Sequence, residues 1–487
     1  MRHSSHTPFF PAWASLLGPM KSKLATASLR RLTLSQLETR LGGFLPGWLL
    51  DKPAAGPHSR QRIYSLPRTF WGWLWQRLNG NASCREVVRQ VQALCALQDG
   101  PEITEDTGGY CQARTQLPRP LLEKALAASA HTATGRAPAL TLLQGRPLKV
   151  VDGSGLRLQD TPANQKAFPQ PTSQKPGCGF PVMKLVVLFC LSSGALLARA
   201  TGTLWDSERR LFQSLLSALQ PDDIVIGDRG FGNFVLVALL SRIGVDLIAR
   251  VSTNARRVDF RQGRRLGRHD RMVVWHKGPR QGNGWSLADW AALPALREVR
   301  IVRTQVRQKG FRSREITLVT TLLDAKLYPA QELLAAYARR WRLELCLDDL
   351  KTTLGLETLK CLSPAMVQKE LLVALIAHNL LRCVMAEAAQ TQAVTLERIS
   401  FKGALDALRQ FNYAMCQTRS TQRKQKMWAA LLRAIARDLV PERPGRREPR
   451  AVKRRPKYDR LNRPRGQYRD RPRRSVRRSI AKKNRLI

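Results

Sequence analysis

Between residues 60 and 147, apolar residues recur at three- and four-residue spacing in FWGWLWQRLNG, SCREVVRQVQALCALQ and RPLLEKALAASAHTA, which predicts amphipathic helices. At LKVVDGSGLRL (148–158) the pattern changes to an apolar strand running into a Gly turn. Two more strands follow, PVMKLVVLFCLSSG and ALLARATGTL, joined across a Ser-Gly turn as a hairpin. A helix comes next, DSERRLFQSLLSAL, with Asp206 as its expected N-cap. Then come the strand DDIVIGD (222–228), the helix GNFVLVALLSRIG and the strand VDLIARV. The predicted order is β-β-β-α-β-α-β. Residues 252–325 break that rhythm with alternating stretches, RMVVWHKG, REVRIVRTQVRQ and REITLVTTLL, separated by Gly- and Arg-rich turns. Helical spacing returns in YARRWRLELCLDDLK (337–351) and KELLVALIAHNLLRCVMAEAA.

These shifts divide the chain. An ill-ordered, Pro/Gly-punctuated arm is expected over 1–59 and a helical domain over 60–147. A first part of an α/β core follows over 148–251, then a β-rich insertion over 252–325. The rest of the core and C-terminal helices occupy 326–439. Residues 440–487 are Arg/Pro-rich, nearly free of apolar side chains, and expected to be disordered when alone.

Charge narrows the function classes. Lys and Arg number 82 against 36 Asp and Glu, a net charge of +46. Such an excess favours a polyanionic partner, most simply nucleic acid, through counterion release. A ribosomal or chromatin-like protein would share the composition. The nine cysteines are scattered with no C-x-x-C pair, which gives zinc little support and suits a reducing compartment. No apolar run approaches the roughly 18–20 residues of a membrane span. The expectation is a soluble, intracellular protein with no membrane partner.

Two acids stand where apolar strands end, Asp152 after KVV and Asp228 after IVIG. Acids there project outside a sheet, where open α/β sheets bind ligands. Each alone also reads as the Asp of a turn, D-G or D-R-G. As a pair on neighbouring strands they can share a cation. Hard carboxylate oxygens suit Mg²⁺ or Mn²⁺ rather than Zn²⁺.

A third acid is offered by the helix at 337–351. With Tyr337 at zero on a helical wheel, Arg340, Glu344 and Lys351 fall at about 300°, 340° and 320°. Leu343, Cys346, Leu347 and Leu350 form an apolar stripe beside them. The helix would dock on the apolar stripe and turn Tyr, Arg, Glu and Lys toward the sheet edge. Asp348, at about 20°, competes with Glu344 for the ligand role. An Arg340–Glu344 surface pair is the plainer reading. Acids in a basic chain suggest phosphodiester chemistry, with Arg340, Lys351 and Tyr337 gripping phosphates.

At these residues the chain resembles the DDE transposases of bacterial insertion sequences, in the subgroup marked by Y-x₂-R-x₃-E-x₆-K: Tyr337, Arg340, Glu344 and Lys351 have that spacing. VVDGSG around Asp152, IVIGDRGF around Asp228 and TTLLDAKLYPAQELLAAYARRWRLE are similar to the family's segments. The resemblance covers roughly 145–385 and touches YCQARTQLPRPLLEKAL (110–126). It implies an RNase H-like mixed sheet flanked by helices, with a β-rich insertion before the last acid. It implies two divalent ions, Mg²⁺ or Mn²⁺, held by Asp152, Asp228 and Glu344. It further implies cut-and-paste transposition, with the helical domain binding the element's terminal inverted repeats and a dimer formed in a synaptic complex on target DNA. A bacterial, nucleoid-associated cytoplasmic protein follows. A Trp of the insertion steadying a flipped base is another expectation, with Trp275, Trp285 and Trp290 as candidates. The rivals are an RNase H-fold nuclease or resolvase, and a basic nucleic-acid-binding protein whose acids are structural. The basic tail after 440 is no part of the family core.

Overall fold

The structure, a computed structural model, describes residues 40–60, 62–97, 102–251, 259–278, 287–305, 315–416, 418, 420–441 and 458–468. Four helices lead the chain: α1 Leu66–Leu78, α2 Cys84–Leu97, α3 Gly108–Gln116 and α4 Arg119–Arg136. A five-strand unit follows, with β1 Leu148–Leu158, α5 Pro162–Ala167, β2 Val182–Cys190, β3 Leu196–Gly202, α6 Glu208–Gln213, β4 Ile224–Gly232, α7 Phe234–Arg242 and β5 Asp246–Val251. The insertion supplies β6 Arg264–Gly267, β7 Asp270–His276, α8 Leu287–Ala291, β8 Leu296–Gln305 and β9 Glu315–Thr320. The last elements are α9 Ala330–Ala338, α10 Trp341–Asp348, a π-turn Asp349–Thr353, β10 Thr358–Leu359, α11 Pro364–Gln392, α12 Phe401–Cys416 and α13 Thr421–Arg437.

The strands form one mixed sheet in the order β3-β2-β1-β4-β5-β9-β8-β7-β6, with β10 beside the far end of β1. In the unit β3-β2-β1-β4-β5, β2 runs against its neighbours while β1, β4 and β5 are parallel. This is the RNase H-like arrangement. β2, VMKLVVLFC, is apolar on both faces because it lies inside the sheet with cover on each side. The expected β-rich insertion is present, and it extends the core: β9 pairs antiparallel with β5, and β8, β7 and β6 continue outward.

The sheet separates two apolar cores. One holds Val151, Val225, Leu247 and helices α6 and α7. The larger holds Val150, Ile226 and Ile248 under α1, α4 and the helices from α9 to α13. At its centre lies α11, which is long and apolar enough to cross a membrane, although the sequence pattern gave no run of that length. Its most apolar 18-residue window is 89% buried inside the protein, as expected of a core helix.

Several expectations are corrected. The N-terminal helices share the main core: Phe70, Trp73 and Leu126 pack with α11, and Arg77 of α1 forms a buried ion pair with Glu370 of α11. The arm expected over 1–59 is packed where described, with Leu41, Phe44 and Leu49 buried in the same core. Asp206 does not cap α6. Ser207 does, while Asp206 closes the preceding turn by accepting from the Thr203 amide and hydroxyl. The tail expected to be disordered docks where it is described, over 458–468.

Candidate active site

β1 and β4 pair in parallel through Leu148↔Ile224, Lys149↔Val225 and Val150↔Ile226, and there the ladder stops. Carried two residues further, the same register sets Asp152 opposite Asp228. Alternation puts both acids on the face of Val150 and Ile226, toward α9 and α10. Asp152 is therefore not at the end of its strand, since β1 continues to Leu158 along β2. It stands where β1 parts from β4. Asp228 lies just past the regular β4–β5 ladder, which breaks between Gly227 and Gly232. Gly232 is required there, because a Cβ would stand 2.5 Å from the Arg250 carbonyl oxygen.

Each acid takes one local amide. Gly153 N–H donates to Asp152 Oδ1 at 2.8 Å, and Gly230 N–H to Asp228 Oδ1 at 2.8 Å. The Asp152 side chain is 20% exposed. Burial pushes its carboxyl up to about 6. The Gly153 amide and Arg340 oppose that rise, and Asp228 and Glu208 add to it.

Arg340 faces this pair. Its Nη1 lies 3.9 Å from Asp152 Oδ2 and its Nη2 2.9 Å from Glu344 Oε1, so one guanidinium spans the first and third acids of the predicted set. It stays nearer Glu344, which explains why it does not offset the cost of burying Asp152. Tyr337 sits below it, with the Arg340 guanidinium 5.9 Å from the ring centroid. Burial pushes the Tyr337 phenol up; Arg340 and Arg250 pull it down and Asp228 pushes it up, so the phenol lies among all three.

The continuous helix expected over 337–351 is broken. α9 ends at Ala338 and α10 begins at Trp341, with Arg339 and Arg340 in the junction. The Arg340 amide bonds back three residues, to Tyr337 at 3.0 Å. Beyond Asp348 the backbone widens into the π-turn. The wheel angle of Lys351 therefore does not apply. Lys351 is half-buried on that turn, and its carbonyl accepts from the Glu357 amide at 3.2 Å. Asp348 is exposed. Of the tryptophans, Trp275 is buried in the second core and Trp290 packs against it, while Trp285 lies outside the described residues.

Two neighbours were missed by sequence reasoning. Glu208, at the start of α6, packs over Gly153 from the opposite face, where a Cβ would stand 2.4 Å from its carboxyl carbon. Arg250 of β5 reaches Tyr337 electrostatically. Gly153 directly after Asp152 was the available signal for a close approach; nothing marked Arg250.

The donor set fits a divalent cation at Asp152 and Asp228. Both offer hard oxygens on one face, and a bound cation would offset the burial that raises the Asp152 carboxyl. Glu344 fits only once it parts from Arg340. Among the described residues, no three acids already stand close enough to hold an ion.

Comparison with known proteins falls on the same residues. A family model described as "Transposase DDE domain" matches residues 143–380. A curated relative, the transposase InsG for insertion sequence element IS4 of Escherichia coli (strain K12), is 29% identical over 249 residues, 50% of this chain and 54% of its own. The chain thus spans about half the length of that relative. A solved piggyBac transposase synaptic complex with hairpin DNA aligns at TM-score 0.39 and 10% identity over 81% of this chain and 83% of that one. Members of this family generally use divalent metal ions. The matched segment begins just before β1, ends inside α11 and includes Asp152, Asp228, Tyr337, Arg340 and Glu344: over residues 143–380 this chain is similar to the transposase DDE domain.

Proposed function

We propose that this chain is a DNA transposase of an insertion sequence, cutting and joining DNA by metal-dependent phosphoryl transfer at Asp152, Asp228 and Glu344. The reading is supported by the register of β1 and β4, which, extended two residues past Val150↔Ile226, would bring Asp152 opposite Asp228, and by the electrostatic influence of Asp228 on Asp152. Two Mg²⁺ or Mn²⁺ ions held by these acids would activate the attacking oxygen and stabilise the leaving oxygen. The protein's own part is positioning and neutralisation. Arg340 lies between Asp152 and Glu344 in this structure and pairs with Glu344. With cations held by Asp152, Asp228 and Glu344, the planar guanidinium of Arg340 would be free for bidentate contact with the scissile phosphate. Tyr337 lies beside Arg340, and Lys351, on the π-turn seven residues past Glu344, would meet the DNA backbone. The helical region 60–147 binds the terminal inverted repeats, and the net charge of +46 holds the complex on DNA at the bacterial nucleoid, where a dimer pairs two ends.

The test uses duplexes carrying the element's own ends, a target plasmid and Mg²⁺. The wild type should give nicked ends and joined products, and Asp228→Asn should give neither. Cleavage without joining would assign a nuclease instead. Unimpaired cleavage by Asp228→Asn would remove the site assignment.

A further inference from the structure

The basic tail belongs to no part of the activity described so far, yet Tyr458–Tyr468 is built into the sheet domain. The Leu461 amide donates to the Cys178 carbonyl at 2.7 Å, and the Arg465 amide to the Gly177 carbonyl at 3.2 Å. Gln174 Nε2 donates to the carbonyls of Tyr458, at 3.0 Å, and Asp459, at 3.2 Å. Arg465 inserts its side chain between the segments that flank α5. Its Nε meets Asp160 Oδ2 at 2.6 Å, its Nη1 meets Gln170 Oε1 at 3.5 Å, and its Nη2 donates to the Gly179 carbonyl. Asp459 pairs with Arg157 of β1. The Tyr458 hydroxyl lies against Gly155, where a Cβ would be 3.8 Å away. Gly155 is three residues beyond Asp152, about 10 Å along the strand. The tail therefore crosses the stretch of β1 that carries the first acid, from the opposite face.

Among the side chains this strap leaves exposed are Arg460, Arg463 and Tyr468, with Asp459, Asn462 and Gln467. Trp205, 55% exposed, lines a cavity of about 710 Å³ with Arg465 and Pro162, Pro169 and Pro171 beside them. Arginines with exposed aromatic faces suit a nucleic-acid backbone and its bases. The flanking sequence has the same character, with eight Lys/Arg against two Glu over 442–457 and nine against one Asp over 469–487.

We propose that Tyr458–Tyr468 is a docked strap whose Arg460 and Arg463 contact the DNA backbone beside the Asp152 strand, and that the Arg465–Asp160 pair is the lock that holds it there. The inference takes only its ligand class from the proposed transposase reading.

The test measures binding of full-length protein to a generic duplex as a function of salt. Each lost phosphate contact lowers the slope of log K against log salt by about 0.9, and lowers affinity about fivefold near 0.15 M salt. Arg460→Ala with Arg463→Ala should reduce the slope by about two and the affinity roughly thirtyfold, with an unchanged melting temperature. The lock is tested by Asp160→Asn. If the tail acts by net charge alone, removing an acid tightens binding. If Asp160 positions the strap, binding weakens, and exchanging the charges (Asp160→Arg with Arg465→Asp) restores it. Tighter or unchanged binding by Asp160→Asn overturns the lock. An unchanged salt slope in the Arg460/Arg463 variant overturns the strap, and this second arm stands even if Asp160→Asn fails to fold. A protein that shows both shifts but cleaves no DNA keeps the strap and loses the transposase reading.

Discussion

Asp152 gives the sharpest prediction, because its environment works against the fold when no cation is bound. Its carboxyl is raised from an ordinary 3.8 to about 6, with burial as the first cause. The native state thus keeps this proton to higher pH than the unfolded chain does. Asp152 costs almost nothing below pH 3.8; the cost grows as pH rises from there to 6 and is constant above. Two pH units of difference correspond to about 3 kcal/mol at pH 7.5, falling to about 1 kcal/mol at pH 4.5. Asp152→Asn mimics the protonated form with the same shape. It should stabilise the cation-free protein by up to about 3 kcal/mol at pH 7.5, and by about a third of that at pH 4.5, while abolishing cleavage. Urea unfolding at the two pH values, with chelator present, reads both numbers. Equal or lower stability of Asp152→Asn at pH 7.5 would refute the reasoning, because Asp152 would then be adequately paired by Arg340 and its need for a cation would vanish. Divalent cation should reverse the ranking, stabilising the wild type but not the variant.

The remaining predictions concern its neighbours and the core. Glu208→Gln removes a carboxylate that raises Asp152, so the Asp152 titration, followed by NMR, should move down in pH; no movement would show that Glu208 is too solvated to act. Glu344→Gln should lose cleavage while Asp348→Asn keeps it, since Asp348 is exposed on α10 and Glu344 shares Arg340 with Asp152; the opposite ranking on the end duplex would exchange their roles. Arg77→Met leaves Glu370 buried without its cation, with side chains 1% and 3% exposed in the wild type, and should cost about 3–5 kcal/mol in urea unfolding. A cost under about 1 kcal/mol would mean that the amides of Lys360 and Cys361, which also donate to Glu370, suffice to hold it.

What could be read from the sequence, and what could not, follows from the range of each force. Strand and helix periods are local, so the strand order and the β-rich insertion were legible from apolar spacing, but the short helix α5 between β1 and β2, in a stretch that reads as a polar loop, was not. Which strands become neighbours is not local, and nothing in the alternation of REITLVTTLL shows that β9 would pair with β5 and enlarge the same sheet. The N-terminal helices read as a separate domain because an amphipathic face shows that it must be covered, not by what. The tail shows the same limit. Composition marks 440–487 as unable to build a core, but Arg465 docks by hydrogen bonds to Asp160 and to backbone carbonyls, which no hydrophobic count registers. The helix at 337–351 is the most instructive case. Its wheel gathered Tyr337, Arg340 and Glu344 correctly, although the helix it assumed is interrupted between them. A junction of two residues with near-helical backbone angles, as at Arg339 and Arg340, swings the axis but barely changes the local spacing, so neighbours stay neighbours. Lys351 lies beyond a second irregularity, the π-turn, where each extra residue per turn shifts the phase. Spacing along a helix is therefore trustworthy across one break and not across two. The same interruption that defeats the wheel leaves Arg340 at a helix junction, between Glu344, which it pairs, and Asp152, which it only approaches.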